Sequence, residues 1–437
     1  MNCKTFVALV ALSLSLSSTS RADCPVGAYR TSGGKARGEI VDVGPSRETS
    51  LRWRRFDGAT GLLTEGADGV WTSTHGWTGT PDGIDVRFDC ERGTMSFGKA
   101  PAKRIALDVT DTRFAAGDVT LAGRLVMPKG RGKVPIVVLV HGSEDSSALK
   151  FYAEQRLLPA RGVGVFVYDK RGTGDSGGKY TQDFDRLADD VVAALGEARR
   201  LAGKRAGRIG QLGTSQGGWV APLAAQRAPV DFVIVGYGLA VSIVDEDLQA
   251  IELEMRLKGH DAATIAKAHE VAKAGHVVIE SGFTKGFADF DAVRARYRDE
   301  PWYRDLHGNF THFFVGMDEA QLREAAKKFD WGTPWRYDPM TALRALDVPQ
   351  LWVLGEDDLD APSAETARLL GELIAAGKPI SVAMFPGTEH GMTEYELAAD
   401  GSRVSTRYSP GYFDILRDYA LKGRVGGRYG RARLTRP

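Results

Sequence analysis

The chain contains few cysteines: only three among 437 residues. A disulfide-rich scaffold is therefore excluded, and the scarcity argues against a cysteine-rich zinc site. An excess of one charge is also missing, because 57 Lys and Arg residues nearly balance 56 Asp and Glu residues. We expect no overall field that would favour nucleic acid as a partner. With 43% hydrophobic and 26% charged residues, the composition also excludes disorder as the main state.

Long apolar runs are missing as well, apart from a short one near the N-terminus. Residues 1–22 have the pattern of a secretory signal, with a basic Lys4, an apolar run at 5–16 and small residues at the cleavage-defining positions. The run is shorter than the roughly 18 to 20 residues of a membrane-spanning helix. We therefore predict cleavage before Asp23, a secreted or periplasmic protein, and no stable membrane insertion.

Signal cleavage would also remove Cys3 and leave Cys24 and Cys90 as a pair. In an oxidising compartment these thiols, about 66 residues apart, could close a loop worth roughly 4 kcal/mol of chain entropy. We predict this disulfide. The alternative is two unpaired, buried thiols.

At roughly 150 residues per domain, the chain length indicates two or three domains. Residues 23–104 are rich in Gly, Thr, Trp and Asp and contain alternating stretches such as 84–88. This pattern predicts a small β-rich domain. Residues 105–127 have the pattern of a β-hairpin with its turn at Gly117 and Asp118.

From residue 134 onward, apolar strands alternate with helical segments, as in a parallel sheet covered on both faces. The predicted strands are 134–140, 163–168, 209–212, 232–235, 348–354 and 380–385. The predicted helices are 150–161, 184–201, 217–227, 363–376 and 412–421. The fold class is therefore α/β, with a doubly wound, mostly parallel sheet formed by residues 105–240 and 347–421.

An insertion at residues 241–346 interrupts the strand and helix alternation. Its first part, 245–280, is helical in pattern, and 301–337 is rich in loops and aromatic residues. Because open α/β sheets bind ligands at the carboxyl ends of their strands, we predict a cap over that edge. About half of the aromatic residues are expected to form the cap's own core. Residues 422–437, which carry several basic and no acidic residues, are predicted to be a flexible, solvated tail.

A G-x-S-x-G motif surrounds Ser215, between a predicted strand and a predicted helix. A nucleophile on such a strained turn needs glycines on both sides, so that its Oγ projects into the cleft. Ser215 is therefore the candidate nucleophile. The alternative is a serine in an ordinary glycine-rich turn.

Serine is a weak nucleophile, so it needs a base and a group that orients the base. His390 follows the last predicted core strand, and Asp358 follows the strand before it. The order Ser, Asp, His along the chain is that of α/β hydrolases. Asp357 and Asp360 remain rival acids.

An oxyanion formed during acyl transfer needs two backbone N–H donors. We assign one to Gln216, which follows the nucleophile, and the other to Ser143, in the turn after the strand at 134–140. His141 is interpreted as a structural turn residue rather than a base.

Two competing site types are disfavoured. Residues 172–177 match G-x-G-x-x-G, but the next predicted helix starts only near Phe184, so these glycines do not open a helix that could hold a pyrophosphate. Asp169 and Arg171 are expected to fix neighbouring loops. The histidines of the insertion lack ligand-like partners at helical spacing, which argues against zinc. We expect neither a metal nor an organic cofactor.

Taken together, several motifs resemble bacterial secreted carboxylesterases of the α/β-hydrolase superfamily related to the catalytic domain of prolyl oligopeptidases. The similar segments are 141–143, 168–178, 213–218, 355–358 and 390–391. The resemblance covers residues 105–421 and implies a triad of Ser215, Asp358 and His390. It covers neither residues 23–104 nor the cap.

These motifs predict a serine hydrolase that cleaves a carboxylic ester of a small or medium-sized substrate. One alternative is a peptidase or amidase. Prolyl oligopeptidases, however, screen substrates with a propeller of about 300 residues, far longer than 23–104. The other alternative is a non-catalytic binding protein on the same fold.

Overall fold

The computed structural model describes residues 24–32, 38–46, 50–327 and 332–437. The predicted signal at 1–22 and the cleavage point before Asp23 lie outside these residues. None of the helices in the described ranges is long and apolar enough to cross a membrane.

Eight antiparallel strands at the N-terminus form a closed barrel, because β1 pairs with both β2 and β8. The strands are β1 (Gly27–Thr31), β2 (Ile40–Pro45), β3 (Leu51–Arg55), β4 (Thr60–Glu65), β5 (Trp71–His75), β6 (Pro81–Asp89), β7 (Thr94–Phe97) and β8 (Ala100–Arg104). Alternate apolar side chains, such as Val41, Trp53 and Val86, fill the interior. A disulfide joins Cys24, before β1, to Cys90, after β6.

The second part of the chain forms a nine-stranded sheet in the order β19-β16-β15-β14-β13-β11-β12-β10-β9. Its strands are β9 (Leu107–Ala116), β10 (Val119–Pro128), β11 (Val134–Val140), β12 (Gly164–Tyr168), β13 (Ala206–Thr214), β14 (Phe232–Gly236), β15 (Gln350–Gly355), β16 (Ile380–Phe385) and β19 (Arg433–Thr435). Strands β11 to β16 are parallel, whereas β9 and β10 form an antiparallel hairpin. The remaining hairpin, β17 (Thr393–Leu397) with β18 (Arg403–Tyr408), stands apart from this sheet.

Helices cover both faces of the sheet, because alternate residues of its strands point in opposite directions. In β11, Val138 packs with one apolar cluster and Val137 with the other. One face carries α3 (Phe184–Ala202), α4 (Gly217–Arg227), α10 (Pro339–Ala345) and α11 (Ser363–Ala375), and the other carries α1 (Ala148–Phe151), α2 (Glu154–Leu157) and α12 (Tyr412–Lys422). The predicted doubly wound α/β fold is confirmed.

In the described part of the insertion, five helices pack around a core of their own, whereas α10 packs against the sheet. The five helices are α5 (Ile243–Leu257), α6 (Ala262–Glu280), α7 (Phe287–Tyr297), α8 (Thr311–Phe314) and α9 (Glu319–Ala326). Trp302 and Phe314 are buried in this core. Phe310 and Phe313, in contrast, line the cavity beneath the cap.

The prediction of a flexible tail at 422–437 is wrong. Val425 and Tyr429 are buried against α12, and β19 pairs antiparallel with the free edge of β16. Some of its basic side chains form ion pairs, since Arg431 contacts Glu394 and Arg433 contacts Glu356. A few apolar residues and an open sheet edge therefore outweigh the local excess of charge.

The barrel docks on the hydrolase part beside the β17–β18 hairpin. Phe56 packs on Phe413 of α12, at 5.9 Å between ring centroids. Two backbone hydrogen bonds reach the hairpin, from Tyr408 N to Gly58 O and from Trp77 N to Ser405 O, each 2.9 Å long. The barrel thus lies next to the segment that follows His390.

Candidate active site

Ser215 lies on a sharp turn between β13 and α4. Its φ of +52° is in the left-handed region, which costs a residue with a side chain on the order of 1–3 kcal/mol. A Cβ on Gly213 would lie 2.0 Å from the carbonyl oxygen of Gly217, and a Cβ on Gly217 would lie 2.5 Å from that of Val140. Only glycine fits these two positions, as the motif predicts.

The structure brings Ser215, His390 and Asp358 together at the carboxyl ends of three strands. His390 Nε2 lies 3.1 Å from Ser215 Oγ, and His390 Nδ1 lies 3.0 Å from Asp358 Oδ2. Asp358 is buried, and its Oδ1 also accepts a hydrogen bond from Ala361 N at 2.8 Å. The imidazole is thereby oriented with Nε2 toward the serine.

The two rival acids lie elsewhere. Asp357 Oδ2 accepts a hydrogen bond from the Tyr395 hydroxyl at 2.9 Å. Asp360 lines the cavity, and its backbone carbonyl accepts a hydrogen bond from Asn309. The carboxyl group within hydrogen-bond distance of His390 is that of Asp358.

Several charges act on His390. Burial favours its neutral form, but Asp358, with contributions from Asp360 and Glu246, outweighs burial and raises the pKa of His390 to about 9. The free imidazole is therefore largely protonated near neutral pH, and a base at this position requires a more alkaline solution.

Hydrogen bonds to two of its backbone carbonyl groups fix the turn that contains Ser143. Lys170 Nζ donates to the carbonyl oxygen of Gly142 at 2.7 Å, and the Tyr180 hydroxyl donates to that of Ser143. Because a trans peptide places its N–H opposite its C=O, the N–H of Ser143 points away from Lys170. A Cβ on Gly142 would lie 3.4 Å from the Cβ of Ser215, so this peptide is next to the nucleophile.

The second expected donor, Gln216, starts α4. The first N–H groups of a helix have no acceptor within the helix. No described residue accepts a hydrogen bond from the N–H of Gln216 or of Ser143. Both groups are therefore available for an oxyanion. His141 is buried and donates from Nε2 to the carbonyl of Tyr168 at 2.5 Å, which is a structural contact.

Lys170 lies within the segment 168–178 that resembles the carboxylesterases, but the sequence assigns it no role. It is buried, and burial lowers its pKa to about 8 against the effect of Glu144 and Asp145. Its neighbours behave as predicted: Asp169 accepts from Ser147 Oγ at 2.8 Å, and Arg171 makes two 2.7 Å contacts to Asp190. The sequence carries no signal that distinguishes Lys170 from these neighbours.

A cavity of about 780 Å³ opens at Ser215 and His390. The core contributes Tyr152 and Tyr237, and the Tyr237 ring packs edge-on against His390 at 4.8 Å between ring centroids.

The cap contributes Glu246 to the same cavity. Burial raises the pKa of Glu246 well above its ordinary value, although His390 opposes this shift. The barrel contributes Arg54. Sequence patterns mark neither Glu246 nor Arg54, because their position depends on how three distant segments meet.

The histidines of the cap make separate contacts. His276 lies 2.7 Å from Asp247, and His260 lies 2.9 Å from Asp305. His307 and His312 stack on each other at 4.1 Å between centroids. Across the described residues, no three His, Cys, Asp or Glu side chains are grouped as metal ligands.

The chain is similar over part of its length to several known proteins. The quorum-quenching protein AidA of Acinetobacter baumannii (strain MDR-ZJ06) is 31% identical over 110 residues, which are 25% of this chain and 36% of AidA. The acylaminoacyl peptidase of Pyrococcus horikoshii has 14% identity and a TM-score of 0.40, over 80% of this chain and 52% of that one. An esterase of Exiguobacterium antarcticum has 19% identity and a TM-score of 0.38, over 65% and 93%. The chain thus spans about half, or less, of the first two relatives.

The family comparison covers more of the chain. A family model described as "Serine aminopeptidase, S33" matches residues 133–396, which is more than half of the protein. This range includes the Ser215 turn, the cap, Asp358 and His390. The resemblance to α/β hydrolases is thereby confirmed, and the chain belongs to the serine aminopeptidase S33 family of hydrolases.

Proposed function

We propose that the protein is a serine hydrolase that cleaves carboxylic esters of small or medium-sized molecules through an acyl-enzyme. The observation that carries the proposal is the hydrogen-bonded series from Ser215 Oγ through His390 to buried Asp358, open to a large cavity. In reaction class this corresponds to the carboxylic ester hydrolases, EC 3.1.1.

The reaction follows from the positions of these groups. Ser215 Oγ attacks the ester carbonyl while its proton passes to His390 Nε2. The N–H groups of Gln216 and Ser143 stabilise the oxyanion of the tetrahedral intermediate. The intermediate collapses as His390 gives the proton to the leaving alcohol. Water, deprotonated by His390, then attacks the acyl-enzyme and releases the acid and the free serine.

A first test compares Ser215→Ala with wild type on a chain-length series of p-nitrophenyl esters and on amides of the same acids. The variant should lose about 10⁴-fold in kcat, because the attacking group is removed. Asp358→Asn should lose far more activity than the matched control Asp357→Asn. Ester turnover by Ser215→Ala near the wild-type rate would contradict the proposal.

The same series of esters and amides distinguishes an ester hydrolase from a peptidase and from a non-catalytic binding protein. Amide cleavage at rates equal to ester cleavage would favour a peptidase, in line with the names of the family and of the Pyrococcus horikoshii relative. No turnover of any ester or amide would favour a binding protein on a hydrolase fold.

We also propose that the protein is exported, to the periplasm or the medium, after removal of residues 1–22. The pattern of the N-terminus and the pairing of Cys24 with Cys90 support this, because disulfides persist in oxidising compartments. The intact mass of the unreduced, exported protein tests both points. It should correspond to a chain that starts at Asp23 and lacks two hydrogens, whereas a mass that retains residues 1–22 would contradict export by cleavage.

A further inference from the structure

The barrel supplies a buried guanidinium to the cavity that holds Ser215. Arg54 lies in β3, and its side chain lines this cavity together with Leu212 from β13 and Tyr412 from α12. Any molecule bound at Ser215 therefore shares its cavity with a charge from the N-terminal part of the chain. The proposed ester hydrolysis does not use this group.

The guanidinium of Arg54 is only partly satisfied by the protein. Its side chain is 9% exposed, and its Nε has no hydrogen-bond partner among the described residues. Nη1 makes long contacts of 3.4 Å to Asp42 Oδ2 and to the carbonyl of Arg52. Asp42 is held more closely by Arg156, at 2.5 and 3.2 Å. The Tyr408 hydroxyl is a further acceptor beside this guanidinium, whereas Nε stays without one among the described residues. Buried donors without acceptors are costly, so Arg54 has unused capacity for an acceptor from a bound molecule.

The charges around Arg54 leave an excess of positive charge. Three buried arginines, Arg52, Arg54 and Arg156, meet where the barrel docks, against the carboxyl groups of Asp42 and Glu154. Burial raises the pKa of Glu154, which favours its neutral form. The balance at this end of the cavity is therefore cationic.

Acidic residues line both ends of the cavity: Asp360 and Glu246 lie at the His390 end, and Glu154 lies at the Arg54 end. Asp358 and Asp360 act on His390, whereas Arg54 faces Asp42, the Tyr408 hydroxyl, and Glu154, whose neutral form burial favours. The cavity is thus acidic beside His390 and basic beside the barrel. An anionic group of a substrate would be favoured at the Arg54 end.

We propose that Arg54 binds a carboxylate carried by the substrate, so that the barrel determines part of the specificity of the site. A guanidinium offers parallel N–H donors whose geometry matches a carboxylate, and a buried cation discriminates strongly against a neutral group in its place. Arg54 acts as a binding residue at a distance from the reacting carbonyl. The proposal rests on the proposed ester hydrolysis.

Two matched pairs of nitrophenyl esters test whether Arg54 binds a carboxylate of the substrate. One pair has an acyl chain that ends in a carboxylate or in its methyl ester, and the other has the same two groups on the alcohol. For each pair, the ratio of kcat/KM for the charged ester to that for the neutral ester is measured in wild type, Arg54→Met, Arg54→Lys and Arg55→Met. Arg55 is the control, because it lies on the same strand but does not line the cavity.

In Arg54→Met the ratio should fall about tenfold or more in at least one pair, mainly through KM of the charged ester. Arg54→Lys should show a smaller fall in the same direction, and it serves as the test if Arg54→Met does not fold. Arg55→Met should keep the wild-type ratio. Ratios within twofold of wild type in both Arg54 variants and both pairs would overturn the proposal. If wild type hydrolyses none of these esters, it is the proposed function that fails.

Discussion

At the scale of single residues, the site depends on a few side chains whose environment changes their chemistry. Ser215 is held at a positive φ, and Asp358 is buried beside His390. Motif and order along the chain predict Ser215 and His390 and place the acid in the loop that contains Asp358. The choice between Asp357 and Asp358 could not be settled from the sequence, because adjacent side chains on a loop differ only in where the fold directs them.

The pKa of His390 predicts an alkaline pH profile. Because Asp358, Asp360 and Glu246 outweigh burial and raise this pKa to about 9, the imidazole becomes a base only as the pH rises toward that value. We expect kcat/KM, which reports the free enzyme, to increase with pH, with its midpoint near pH 9 and its plateau at higher pH. Asp360→Asn should move the midpoint to lower pH. A midpoint near 6.5 in the wild-type profile would contradict the assignment of charges.

Lys170 is a positioning residue for the oxyanion turn, since it holds the carbonyl of Gly142. In Lys170→Met this peptide can rotate, and the N–H of Ser143 is no longer fixed toward the oxyanion. We expect kcat to fall by about 10²-fold, close to the loss of one oxyanion donor, with little change in KM. Lys179→Met, at an exposed position, is the control. Equal kcat values for the two variants would show that Lys170 does not position this turn.

At the scale of elements, the strength of the local pattern decided which predictions succeeded. The bounds of β11, α4 and β16 agree with those predicted, because each is a strongly apolar or amphipathic run between turn residues. Hairpin β17–β18 and strand β19 were not predicted. Their residues are mixed in polarity, and each is a strand because of a partner that lies elsewhere in the chain.

The ordered C-terminal segment gives a prediction at this scale. Tyr429 is 4% exposed and its hydroxyl donates to Asp418 at 3.2 Å. Tyr429→Ala should lower the free energy of unfolding by about 3 kcal/mol, as expected for loss of a buried aromatic side chain. Arg428→Ala, at an exposed position next to it, should change stability by less than about 0.5 kcal/mol. Denaturant unfolding of both variants provides the comparison, and equal stabilities would mean that the segment does not pack in solution.

At the scale of the whole molecule, the cavity combines three parts of the chain around one nucleophile. The core provides Ser215 and His390, the cap provides Glu246, and the barrel provides Arg54. Composition and periodicity predicted that a β-rich region, a parallel sheet and a cap exist. They could not predict how the barrel docks, because that depends on contacts such as Phe56 with Phe413 between residues far apart in the chain.

The proposed mechanism requires Ser215 to be the nucleophile. The most direct measurement is labelling of the intact protein with a fluorophosphonate, followed by mass spectrometry of its peptides. We predict a single phosphonylated residue, Ser215, with labelling abolished in Ser215→Ala and strongly slowed in His390→Ala. Labelling at another residue, or no labelling of the folded wild-type protein, would contradict the role of Ser215 as the nucleophile.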